Sequence, residues 1–162
     1  MRNILYLFLS FTFVAGNLSA QTKPFVTVEG EVMKPLKLTV DELANMKAIE
    51  VKAKDKDGKE HMFKGVQLVD VLDSAGVTLG GQLRGKNLMK YVHIKALDGY
   101  EIIFSLSEID PSIAGQTIIL AYQVDGAALP KGEGPFRIVV PGDKKHARWI
   151  REISSIHIAF AK

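Results

Sequence analysis

The stretch Pro141-Gly142-Asp143-Lys144-Lys145-His146-Ala147-Arg148-Trp149-Ile150-Arg151 holds the densest set of chemically competent side chains in the 162 residues. Four fixed cations and a histidine fall within eight positions, directly after a strand-forming run and a Pro-Gly turn. Lysine and arginine beside the free backbone amides of such a junction make an anion pocket. Lys144, Lys145, His146 and Arg148 are therefore the candidate binding residues. Trp149 either offers a flat surface to a ring or plugs the core. Charge alone favours a plainer reading, a solvated turn, because charged runs are common and rarely specific.

Other chemistries are poorly represented. The chain has no cysteine, which removes thiolate metal ligands, thiol nucleophiles, iron–sulfur clusters and disulfides together. His61, His93, His146 and His157 are scattered, with no pair at i, i+4 and no HExxH, so their spacing predicts no metal site. His93 and His157 sit in alternating runs on the parity opposite Val92/Ile94 and Ile156/Ile158, the polar side. No GxSxG, Walker-type loop or GxGxxG is present. Gly132-Glu133-Gly134-Pro135 reads as a turn, because proline removes an amide that a phosphate cradle would use. A net charge of +3 is too small to imply nucleic acid.

These residues need elements to position them. Phe25–Val32 alternates as a strand that Lys34-Pro35 stops. Thr39-Val40-Asp41-Glu42 and Ser105-Leu106-Ser107-Glu108 are capping boxes opening short helices. Gln67–Ala75 has helical spacing and Gly76 at its C-terminal stop, followed by a glycine-punctuated loop over Leu79–Asn87. Asp57-Gly58, Asp98-Gly99 and Asp125-Gly126 supply the positive φ of hairpin turns between strands at Ile49–Lys54 and Glu60–Lys64, at Tyr91–Leu97 and Tyr100–Ser105, and after Thr117–Val124. Phe136–Val140 and Ile153–Phe160 complete the strands. Three such turns argue for antiparallel hairpins, hence one α+β domain of mixed, mainly antiparallel sheets with short helices.

The amino terminus has another purpose. Met1-Arg2-Asn3 is a short basic start, Ile4–Ala15 an apolar run, and Gly16-Asn17-Leu18-Ser19-Ala20 a small-residue approach to Gln21. This is the pattern of a signal peptide over residues 1–20, cleaved after Ala20. The apolar run would reach only about 18 Å as a helix, against a hydrocarbon core of roughly 30 Å. The expected mature chain, residues 21–162, is periplasmic or secreted and has no membrane span.

Several stretches, in order, resemble the oxidoreductase molybdopterin-binding domain of the sulfite oxidase family. They are Leu38-Thr39-Val40-Asp41-Glu42-Leu43, the run from Phe63-Lys64-Gly65 through Gly76, Asp98-Gly99-Tyr100, and Leu120-Ala121-Tyr122 with Asp125-Gly126 and Leu129-Pro130. Gly134-Pro135-Phe136-Arg137-Ile138-Val139-Val140-Pro141-Gly142 and Arg148-Trp149-Ile150 follow. The resemblance implies a sulfite-oxidase-type fold and a pterin-phosphate site at the basic turn. It also implies a cysteine ligand to molybdenum on the strand after the first helix, where this chain has Ala53 or a neighbour. The family's Arg-Asn-His segment has no counterpart in Gln21-Thr22-Lys23-Pro24, and its Gly-Ala-Arg turn is altered to Lys144-Lys145-His146-Ala147-Arg148.

Oxygen-atom transfer needs the metal and an arginine to hold the anion. Without the thiolate, the expectation is a non-catalytic binding module with a pocket for a small anion or pterin-like ligand. Two alternatives stand beside it: a molybdopterin-dependent oxidoreductase with a non-cysteine ligand, and a docking subunit that meets another envelope protein.

Overall fold

The computed structural model describes residues 23–162, so the signal-peptide reading lies outside the described residues. In chain order the elements are β1 (Phe25–Gly30), β2 (Leu36–Thr39), α1 (Val40–Ala44), β3 (Ala48–Lys54), β4 (Glu60–Gln67), α2 (Leu68–Ser74), β5 (Lys90–Ala96), β6 (Glu101–Ser105), α3 (Leu106–Ile109), β7 (Ile119–Val124), β8 (Ala127–Ala128), β9 (Arg137–Val139) and β10 (Ile153–Phe160). They form two five-stranded sheets. One runs β2-β1-β10-β5-β6; the other runs β3-β4-β7-β8, with β9 paired to the free part of β7. Only the β1–β10 pairing is parallel among those described. The α+β, mainly antiparallel expectation therefore holds. No helix among the described residues is long and apolar enough to cross a membrane.

Local chemistry explains where the elements begin and end. Both capping boxes form: Thr39 and Ser105 each accept an amide three residues on, and Glu42 and Glu108 reach back to the cap amides. All three Asp-Gly steps turn hairpins, β3–β4, β5–β6 and β7–β8. Two strands escape the sequence reading, β2 and β8, both short edge pieces held by pairing rather than by their own alternation. β1 stops at Gly30, two residues before the expected end. The chain passes so near β10 that a Cβ on Gly30 would lie 2.1 Å from the Ile158 carbonyl oxygen. The Leu79–Asn87 loop carries two short 3-10 turns.

One continuous core joins the sheets and helices. Val26 and Val28 of β1, Val92 and Ile94 of β5, Phe104 of β6 and Ile156 and Ile158 of β10 are fully buried on one face of the first sheet. Leu68, Val71 and Leu72 of α2 and Ile119, Leu120 and Ala121 of β7 join the same cluster. Ile119–Tyr122 of β7 are buried one after another, so that strand is covered on both faces.

Gly65 marks the tightest contact in the second sheet. The β4–β7 register slips between Lys64 and Gly65, and a Cβ on Gly65 would fall 2.3 Å from the Leu120 carbonyl oxygen and 2.6 Å from the Ala121 Cα. Backbone, not a flexible side chain, occupies that space. Gly65→Ala should therefore destabilise the protein by about 1–3 kcal/mol or more through overpacking. Denaturant unfolding checks this, and an unchanged midpoint would show that the strands can part there without cost.

Candidate functional site

The β3–β4 hairpin tip, the turn after β9 and the segment before β9 converge at one end of the second sheet. Their anchor is Arg137, which is 0% exposed although it carries a fixed charge. Its two terminal nitrogens donate to both carboxylate oxygens of Asp55 at 2.8 Å, and Nη1 also donates to Glu133 at 2.7 Å. Arg151 completes the group through Glu133 at 2.9 Å. The Arg137 guanidinium carbon lies 5.1 Å from the ring centre of Phe63 and 5.4 Å from that of Trp149. Two carboxylates and two guanidiniums thus balance one another beneath the hairpin tip. Burial pushes the Asp55 carboxyl up, but hydrogen bonds from Arg137 and the Lys56 amide and the charges of Arg137 and Arg151 outweigh it, holding it at about 2.

A second clamp ties the same tip to β7–β8. His61 bridges Asp125 at 2.6 Å and Asp57 at 3.1 Å. Hydrogen bonds to Asp125 and then Asp57 raise its pKa above the ordinary histidine value. The other oxygens of these aspartates accept the Lys59 and Met62 amides. Every carboxylate of the tip is therefore engaged.

Above this floor lies a cleft of about 510 Å³ lined by Lys54, Lys56, Gly58, Pro141, Lys144 and His146, with Asp55, Asp143 and Trp149 behind them. Its two carboxylates are spoken for: Asp55 by Arg137, and Asp143 by Arg148, whose Nε and Nη2 donate at 3.0 and 2.7 Å. Among the described residues, Lys54, Lys56 and Lys144 have no acidic partner at ion-pair distance. His146 makes a 2.7 Å hydrogen bond from Nε2 to the Lys54 carbonyl oxygen and packs edge-on to Trp149 at 4.4 Å. The local result is a concave wall of uncompensated positive charge on a rigid base. A neighbouring hollow of about 400 Å³ shares Lys56, His146 and Trp149 and adds Tyr100, Arg151, Asp98 and Glu152.

The candidates from the basic run separate here. Lys144 and His146 line the cleft. Lys145 is exposed and lies outside its lining. Arg148 is turned the other way: besides Asp143 it pairs with Glu108 at 3.3 Å, and its guanidinium carbon stands 4.6 Å from the Phe104 ring centre. It holds the turn to α3 rather than facing the cleft. Trp149 takes the core role, 3% exposed, with its indole N–H on the Val140 carbonyl oxygen. Lys54 and Lys56 were missed because they look like an ordinary strand end and hairpin tip, and only the fold sets them opposite Lys144.

The donor set can be tested against a metal-bearing pterin. Ala53 is 7% exposed, within the core, and carries a methyl group. The acidic residues that follow it, Asp55 and Asp57, already use their oxygens on Arg137, His61 and backbone amides. The residues present do not fit the metal end of that cofactor. The lysines do suit its phosphate end, or any small anion.

Comparisons with known proteins agree on the scaffold. The family model described as the oxidoreductase molybdopterin binding domain matches residues 19–160. Among solved structures, the sulfane dehydrogenase SoxCD from Paracoccus pantotrophus superposes with a TM-score of 0.66 at 19% identity. The match covers 83% of this chain but 38% of that one, so this chain spans well under half of its structural neighbour. No curated protein matches the sequence.

The buried charge group has an acid signature. Asp55 is depressed below its unfolded value of about 3.9, so its contribution is fully present above that value and is lost as pH falls toward about 2. Denaturant unfolding from about pH 5 down to pH 2 should show this loss in the parent and a flatter profile in Asp55→Asn. Arg137→Met should cost about 3–5 kcal/mol at neutral pH by stranding Asp55 and Glu133. A profile unchanged by Asp55→Asn would mean that other carboxylates govern acid unfolding.

Proposed function

The chain belongs to the oxidoreductase molybdopterin-binding domain family, and from that premise we propose that it is a non-catalytic, exported binding module that takes a small anion or a pterin-type phosphate in the lysine cleft. One observation carries the reading. The carboxylates of the 510 Å³ cleft are neutralised by buried or half-buried arginines, whereas Lys54, Lys56 and Lys144 have no acidic partner among the described residues. A cavity walled by three ammonium groups, over a floor whose charges already cancel, attracts an anion from solution.

The supporting chemistry is additive. Lysine binds phosphate as a point charge with three rotatable donors. His146, fixed through Nε2, lines the wall, and Tyr100, half-exposed with its hydroxyl on the Ala147 carbonyl oxygen, gives the adjoining hollow a flat edge. A phosphate in the cleft with a ring against Tyr100 would use both spaces, which share Lys56. The absence of any cysteine, and the closure of Asp55 on Arg137, favour binding over oxygen-atom transfer. Export rests on the pattern of residues 1–20.

Pyrophosphate tests the cleft directly. It should raise the melting temperature of the parent in a salt-sensitive way, by an amount equivalent to about 2.7 kcal/mol at a hundredfold excess over its Kd. Lys56→Ala with Lys144→Ala should abolish that response while leaving the unliganded melt nearly unchanged, because both side chains are exposed. Lys145→Ala should respond like the parent. Equal stabilisation in the double variant and the parent would remove the cleft from consideration.

A further inference from the structure

The outer face of the β2-β1-β10-β5-β6 sheet brings together groups that the cleft does not use. Pairing register sets Glu29 of β1 beside His157 of β10, His157 beside His93 of β5, and His93 beside Ile103 of β6. Directly paired residues project from the same face, with Cβ atoms about 4.5–5.5 Å apart across an antiparallel pair. Their sequence neighbours Val28, Ile156, Ile158, Val92 and Ile94 are all buried on the opposite face. The row therefore looks outward, with the His93 and His157 side chains 21% and 43% exposed.

We propose that His93 and His157, with Glu29 as a third donor, form a site for Zn²⁺ or a similar late transition-metal ion on this sheet face. Two imidazoles and a carboxylate, with water at the fourth position, are a recognised zinc donor set, and imidazole is the ligand such ions favour. Metal–nitrogen bonds of about 2.0–2.1 Å require the two ring nitrogens to approach each other closely, which the spacing of a direct cross-strand pair allows.

As placed, the described residues gather no group of three or more such side chains that could hold a metal ion. His93 Nε2 is on Glu101 at 2.8 Å, and His157 Nδ1 lies 3.9 Å from Glu29. Site formation is then a rotation of the two rings toward each other. Little opposes it. Glu101 keeps Lys95 at 2.9 Å when His93 leaves, so no charge is stranded. The His157–Glu29 contact is long and exposed, worth little by itself. Metal binding would exchange these weak contacts for coordinate bonds.

Sequence spacing gave no hint of this site, because His93 and His157 are 64 positions apart and meet only through the β5–β10 register. The inference stands independently of the lysine cleft, which shares none of these residues.

The test is calorimetric titration of Zn²⁺ into the untagged chain in a buffer that does not bind metal. One ion per chain should bind, with binding weakened by acid because the metal needs neutral imidazoles. His93→Gln and His157→Gln should each abolish uptake, while His61→Gln and His146→Gln keep it. Melting of the metal-free variants separates lost binding from lost folding. Zn²⁺ shifts of the His93 and His157 ring resonances, with the other two rings unmoved, give a second reading on the parent. Uptake that survives His93→Gln or His157→Gln, or a parent that takes up none, overturns the proposal.

Discussion

A guanidinium buried between two aromatic rings is tolerable only if its charge is met at close range, and the Arg137 group meets that condition. Removing such an ion from water costs several kcal/mol, which is recovered only by good geometry and by hydrogen bonds on both sides. Asp55 supplies a two-pronged contact and Glu133 a further one. Phe63 and Trp149 close the faces. The consequence is spatial. Asp55 directly follows β3 and Arg137 begins β9, so their bond fixes the hairpin tip against the strand that leads into the basic turn.

That constraint gives the cleft its character. With Asp55 committed to Arg137 and Asp143 to Arg148, the acidic groups near the cavity are neutral in effect, and the lysines on its rim are left uncompensated. His146 adds a cross-link from the basic turn to the last residue of β3. Among the described residues, the same arrangement leaves Asp55 and Asp57 already engaged at that strand end. A scaffold shared with molybdopterin-binding oxidoreductases here presents a charge lock and a lysine rim instead of a thiolate.

Much of the fold could be read from short-range chemistry. Asp57-Gly58, Asp98-Gly99 and Asp125-Gly126 turn hairpins because the required backbone conformation is written into two residues, and both capping boxes close within four. β2 and β8 were hidden because edge strands draw their stability from a neighbour. The site was legible only in part, for the same reason. Lys144 and His146 are visible in a run of charge, but Arg148 looked equivalent to them until Glu108, 40 positions away, took its guanidinium. Arg137 stood in a stretch that carries the family resemblance, but its pairing gave no signal, since Asp55 lies 82 positions back. Charge runs show where ions are plentiful; only the fold shows which are already paired.

The central claim is that the end of β3 holds a closed Asp55–Arg137 pair where the family resemblance implies a metal-bound thiolate. Elemental analysis of the protein, produced in cells that make the molybdenum cofactor, bears on this pair without intermediaries. Molybdenum should lie far below one atom per chain, with no further uptake on incubation with the cofactor. Molybdenum near one atom per chain, retained through gel filtration, would contradict it.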